Sequence, residues 1–109
     1  QESVMATPHT PSILAKRHIR KIGEDLRVAR LRRRLPMEVV ANRALVTRNT
    51  LARVEKGDPA VSFGIYASVM QALNLIERLP DLAAEDHVGV EMANEQLPKR
   101  IRAKRSEHV

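Results

Sequence analysis

The sequence contains no cysteine and no tryptophan. Without thiols it has no disulfides and no cysteine-based metal site, and a reducing compartment is compatible. Aromatics are nearly absent too: Phe63 and Tyr66 are the whole supply. A hydrophobic core must therefore be aliphatic. Both rings fall in a helical pattern that assigns them to that core, so none is spare for the exposed stacking platform that reads single-stranded RNA. No apolar run approaches the ~20 residues that span a bilayer, and no signal-peptide segment stands before the domain. A soluble cytoplasmic protein with no membrane partner is expected. His9, His18, His87 and His108 are scattered without ligand spacing. No Ser/His/Asp set, glycine-rich phosphate loop or matched carboxylate pair is visible, so a non-enzyme with no metal and no cofactor is expected.

What the chain does have is charge, unevenly placed. The net charge of its 109 residues is +6. Residues 16–34 hold nine Lys or Arg against Glu24 and Asp25, whereas 77–95 hold six acids against Arg78 alone. Lys99, Arg100, Arg102, Lys104 and Arg105 make the end basic again. Solvated surface explains many exposed charges, but blocks of one sign point to a polyanion-binding face and a separate acidic surface.

Along the chain, 1–12 carry two prolines among small polar residues and read as a flexible arm. Ala15, Ile19, Ile22, Leu26 and Ala29 recur at the spacing of one helix face. Gly23 weakens that helix by roughly 1 kcal/mol relative to alanine. The helix should stop before Pro36. Pro36 then suits the first turn of a short helix, about 36–43, with Val39, Val40 and Ala44 on its apolar side. Thr47 is a fitting N-cap for a third helix, about 47–56, with Leu51 and Val54 inward and Gly57 at its end. Asp58-Pro59 makes a turn. Ser62 caps a fourth helix with Phe63, Tyr66, Val69, Met70 and Leu73 inward, ending at Asn74. Leu75 to Ala83 suggest one or two short helices broken at Pro80. Residues 89–96 are weakly helical, and Val88-Gly89-Val90 is too brief to read as a strand. The expected organisation is an arm over 1–15, an all-α domain over 16–79, and an acidic segment followed by a basic tail over 80–109.

Two short helices joined by a tight turn form a helix-turn-helix. Leu51 and Val54 anchor the second helix and leave Arg48, Asn49, Thr50 and Arg53 projecting. A helix fits the major groove of B-DNA, where arginine can pair with guanine and asparagine with adenine. Arg32, Arg33 and Arg34 could meet phosphates or complement the dipole of their own helix. Lys16, Arg17, Arg20 and Lys21 could follow a backbone or simply be solvated.

Residues 22–75 resemble the Xre/Cro family of bacterial helix-turn-helix regulators, most strongly in LPMEVVANRALVTRNTLARVEKG (35–57). Ala41, Val46-Thr47, Leu51, Val54, Glu55 and Gly57 follow the family order. Ile22, Leu26, Arg30 and Leu35 fit its first helix, and Phe63, Tyr66, Val69, Ala72 and Leu73 its fourth. The resemblance implies a compact five-helix, lambda-repressor-like domain. It implies that Arg48, Asn49 and Arg53 contact base edges or nearby phosphates, that Thr47 touches the backbone, and that Arg30 and Glu55 form a structural ion pair. Thr50, Arg32, Arg33 and Arg34 are read beside them as further backbone contacts. Physical chemistry agrees on the pair, since buried charges are normally partnered. Two positions depart from the pattern. Met37 stands where the family often has a glutamine that contacts DNA. Leu45 replaces the usual turn glycine, so the turn must be strained or reshaped.

A narrower likeness lies in GDPAVSFGIYASVMQALNL (57–75) and LPKRIRAK (97–104), which are similar to the HipB-like antitoxins that partner HipA-like kinases in bacterial toxin–antitoxin operons. That resemblance implies a homodimer that binds operator DNA, holds a HipA-like kinase toxin and represses its own operon. A standalone Xre-type regulator is the plainer form. A protein-interaction module that docks through its acidic segment or basic tail, with weak DNA binding, is the other class. No heptad is long enough for a coiled coil, so the dimer contact is expected in the fifth helix or after it.

Overall fold

The computed structural model describes residues 9–96. The start of the expected arm (1–8), the basic tail and the 97–104 motif lie outside the described residues. Within them the chain is all-helical and has no strand. The helices are α1 (Ile13–Arg32), α2 (Met37–Ala44), α3 (Arg48–Glu55) and α4 (Phe63–Ala72). A 3-10 helix (Ile76–Asp81) and α5 (His87–Gln96) follow. The chain divides into one unit ending at Glu77 and a second starting at Arg78.

α1 begins inside the stretch expected to be arm because Ser12 caps it, its Oγ accepting from the Ala15 N–H at 3.1 Å. Thr47 and Ser62 cap α3 and α4 in the same way, each accepting an N–H from three residues on. The helix ends follow one rule. Arg34, Leu45, Gly57 and Asn74 all have positive φ. In each case the next residue's N–H reaches back to a carbonyl five positions earlier: Leu35 to Arg30, Val46 to Ala41, Asp58 to Arg53 and Leu75 to Met70. These are Schellman ends, which satisfy carbonyls the helix cannot. They also turn Leu35, Val46 and Leu75 back against the core.

That core is aliphatic apart from Tyr66. Leu51, Leu73, Val40, Val54 and Val69 are its largest fully buried side chains. Each contributes about 1.5–3 kcal/mol by leaving water. Packing, not intrinsic propensity, therefore holds α2, α3 and α4, which at eight to ten residues are too short to stand alone in water.

Two inward assignments are corrected. Ile22 is 41% exposed, and the buried line of α1 runs through Gly23, Leu26, Ala29 and Arg30. At Gly23 α1 touches the end of α3 backbone to backbone: a Cβ there would overlap the Val54 carbonyl oxygen and lie 2.5 Å from the Gly57 nitrogen. The glycine that looked like a weak point is the contact itself. Phe63 is 65% exposed, while Tyr66 is buried. Phe63 is the first residue of α4, at the edge of its inward face, and Val61 before the cap fills the core in its place.

In the second unit no residue from Arg78 to Gln96 is buried. Asp86 caps α5, its Oδ1 accepting from the Gly89 N–H at 3.1 Å, so Val88-Gly89-Val90 lie in a helical first turn. Pro80 does not break the preceding segment but sits inside the 3-10 helix.

Candidate nucleic-acid interface

The tight connection from α2 to α3 is Leu45-Val46-Thr47. Leu45 takes φ 60° and ψ 40°, the left-handed conformation, and its side chain is 90% exposed. The turn therefore keeps the shape glycine would give it, at a steric cost of roughly 1–2 kcal/mol. Thr47 Oγ1 accepts from the Thr50 N–H at 3.0 Å and donates to Thr50 Oγ1 at 3.0 Å. Both threonines are thus committed to starting α3, whose first turn has a free positive dipole end. Met37 opens α2 and is half-buried against the core.

Leu51 and Val54 are fully buried beneath α3, and Glu55 is buried with them. Arg30 meets Glu55 in a two-pronged ion pair. Its Nε donates to Oε2 at 2.6 Å and its Nη2 to Oε1 at 3.1 Å. The remaining Nη1 donates to the Leu35 carbonyl at 3.0 Å. No buried side-chain polar atom among the described residues is left without a partner. The pair and the Gly23 contact together fix the last turn of α3 to α1.

What α3 leaves outside is Arg48, Asn49 and Arg53, with Thr50 half-buried. Asn49 makes no side-chain hydrogen bond among the described residues. Arg48 Nη1 stands 3.8 Å from Glu38 Oε2, with the two side chains 65% and 74% exposed. A contact that loose and wet is worth little, and a ligand can displace it. Arg53 is held more firmly: its Nε donates to Asp58 Oδ2 at 2.7 Å. Asp58 Oδ1 also accepts the Ala60 N–H at 2.9 Å. That backbone bond first, then the Arg53 bond, holds the Asp58 carboxyl below its ordinary range. Tyr66 donates its hydroxyl to the Asp58 carbonyl at 2.8 Å, and burial followed by the Asp58 charge pushes the phenol up.

The arginines ending α1 behave differently. Arg33 Nη1 donates to the Ala29 carbonyl at 3.0 Å, serving its own helix end. No hydrogen bond or ion pair among the described residues joins Arg32, Arg33 or Arg34 to α3. Sequence reasoning missed Glu38, Lys56 and Asp58. The signal for Asp58 is only its placement after Gly57, where the chain reversal returns it to Arg53. Among the described residues no group of three or more His, Asp or Glu is placed to hold a metal.

A helix that is anchored below by leucine, valine and an ion pair, and that follows a second helix through a tight turn, is the geometry of a known domain. The helix-turn-helix domain family matches residues 21–82, more than half the chain. The chain belongs to that family. No curated protein and no solved structure gives a significant match. The membership makes this an Xre-like helix-turn-helix regulator of the DNA-binding kind, and no catalytic family is indicated. No helix of the described residues is long and apolar enough to cross a membrane.

Proposed function

We propose that this helix-turn-helix protein is a sequence-specific repressor that lays α3 in the major groove of operator DNA. The observation that carries the reading is the two-sided character of α3. One face is clamped by Leu51, Val54 and the Glu55–Arg30 pair. The other presents Arg48, Asn49 and Arg53, with Arg48 beside the exposed Glu38 and Arg53 bonded to the half-buried Asp58. A rigid helix displaying arginine and asparagine is what base-edge recognition requires, each good bidentate contact giving about 1–3 kcal/mol of discrimination. Thr47 and Thr50 at the positive end of α3 contact the phosphate backbone, and Arg32, Arg33 and Arg34 add to that contact. In this reading the first unit is lambda-repressor-like and the protein acts as a homodimer. The likeness of 57–75 to HipB-like antitoxins supports a finer role, autoregulation of an operon that encodes a HipA-like kinase toxin.

The test is selection of bound duplexes from a random pool with the full chain, followed by footprinting. Recovery of an inverted repeat with half-sites about 34 Å apart is the expected result. Arg48→Ala should weaken binding to the selected duplex by about 1–3 kcal/mol and relax one base position. Equal loss on random DNA would reduce Arg48 to a phosphate contact. Failure to enrich any sequence would favour the interaction-module reading.

A further inference from the structure

We infer that a basic cleft between the first half of α1 and the end of α3 is a second phosphate-binding site, which grips the DNA backbone beyond the bases that α3 reads. The inference rests on the DNA-binding proposal and extends it to residues outside the helix-turn-helix. The cleft has a volume of about 380 Å³ and is lined by Lys16, Arg20, Arg53, Lys56, Gly57 and Asp58. Four cations face one carboxylate, and that carboxylate is already bonded to Arg53 and the Ala60 N–H.

The position of these cations is fixed by backbone contact. A Cβ on Gly57 would overlap Arg20 Cα and crowd the Ile19 carbonyl, so α1 rests directly on the end of α3 there. Gly23 makes the matching contact one turn later. Lys16 and Arg20 lie four apart on one face of α1, so both project beside Lys56. Lys56 and Arg53 have a local use, since cations suit a helix C-terminus. Among the described residues Lys16 and Arg20 have none: they come from another helix, and bringing them to two further cations costs repulsion. A shared anion offsets that cost. The structure also selects among the basic residues of α1. Lys21 is bonded to Asp25 at 2.7 Å, and Arg17 does not line the cleft.

The anion is a backbone phosphate because the cleft continues the exposed face of α3. Arg53 belongs to both. From Asn49 to Lys56 the helix advances about 10 Å at 1.5 Å per residue, which carries the cleft past the base-reading turn to flanking phosphates.

The experiment compares the wild-type chain with K16Q/R20Q on a duplex selected by the wild type and on random duplex, across about 50 to 300 mM salt. Two lost phosphate contacts should flatten the slope of log K against log salt by about 2, at roughly 0.9 per contact. The loss should be equal on both duplexes and leave the preference between them unchanged. R17Q should keep the wild-type slope, and K16R/R20K should restore it, which separates charge from folding damage. An unchanged slope in K16Q/R20Q, while R48A still weakens the selected duplex, overturns the cleft and leaves the α3 reading intact. A change in oligomeric mass with no change in slope overturns it too, by giving the cleft to an acidic protein segment. If the wild type enriches no duplex, the DNA reading itself falls and takes the cleft with it.

Discussion

Arg30 and Glu55 show how much a single side chain decides here. They are the two charged residues buried among the described residues, and each satisfies the other. Glu55→Gln leaves the guanidinium buried against a neutral amide and should lower stability by about 3–5 kcal/mol, read as a fall in the urea midpoint. Replacing both, Arg30→Met with Glu55→Leu, should recover most of that loss, because two apolar chains leave no charge to strand. A double variant no better than the single would mean that the pair's orientation, not its charge balance, holds α3. Leu45 is the opposite case, a residue the fold tolerates. Leu45→Asn keeps the left-handed turn at lower steric cost and should raise stability by about 0.5–1 kcal/mol, part of the roughly 1–2 kcal/mol a non-glycine residue incurs there. An unchanged or lower midpoint would show that the exposed leucine is not strained. Much of this scale is legible in the sequence, because cap chemistry is local: Thr47, Ser62 and Gly57 stand where hydroxyl caps and a left-handed end belong. Ile22 and Phe63 are misread because a step of three residues only approximates the helical turn. Which edge residue turns inward depends on the neighbour, and that neighbour is distant in sequence.

At the scale of elements, the crossing of α1 over the end of α3 is the joint on which both candidate surfaces depend. It is made by hydrogen where other residues carry a Cβ. Gly23→Ala must push α1 off the Val54 carbonyl, and overpacking of this kind costs about 1–3 kcal/mol. Gly64→Ala is the control. Its Cβ would meet nothing nearer than Ser62 Oγ at 3.9 Å, and it should stabilise α4 by about 0.5–1 kcal/mol. Thermal melts of the two variants should move in opposite directions. Movement in the same direction would mean that helix propensity, not the crossing, governs position 23. From the sequence Gly23 is visible only as a propensity penalty, since the atoms it makes room for lie some thirty residues away on another helix. The cleft is hidden for the same reason. Its cations are plain in the sequence, but their convergence is a product of packing.

At the scale of the whole molecule, every buried side chain among the described residues lies between Gly23 and Leu73, and none of those from Arg78 onward is buried. A chain cut after Glu77 should therefore keep the urea midpoint of the full protein. A clear drop would show that the second unit contributes to the stability of the first. The charge asymmetry acts at this scale too. The basic stretch of 16–34 belongs to the first unit and the acids of 78–95 to the second, so cutting after Glu77 also separates the two signs.

The shortage of aromatic residues has an optical consequence. With one tyrosine and no tryptophan, the tyrosine-band ultraviolet emission of the protein comes from Tyr66 alone, the weak emission of Phe63 lying at shorter wavelength. Its hydroxyl is bonded to the carbonyl of Asp58, the residue whose carboxylate holds Arg53. The molecule thus carries a built-in chromophore one hydrogen bond from Asp58, in the loop just past the end of α3. Quenching or a spectral shift of that single phenol would report, without any label, when something settles there.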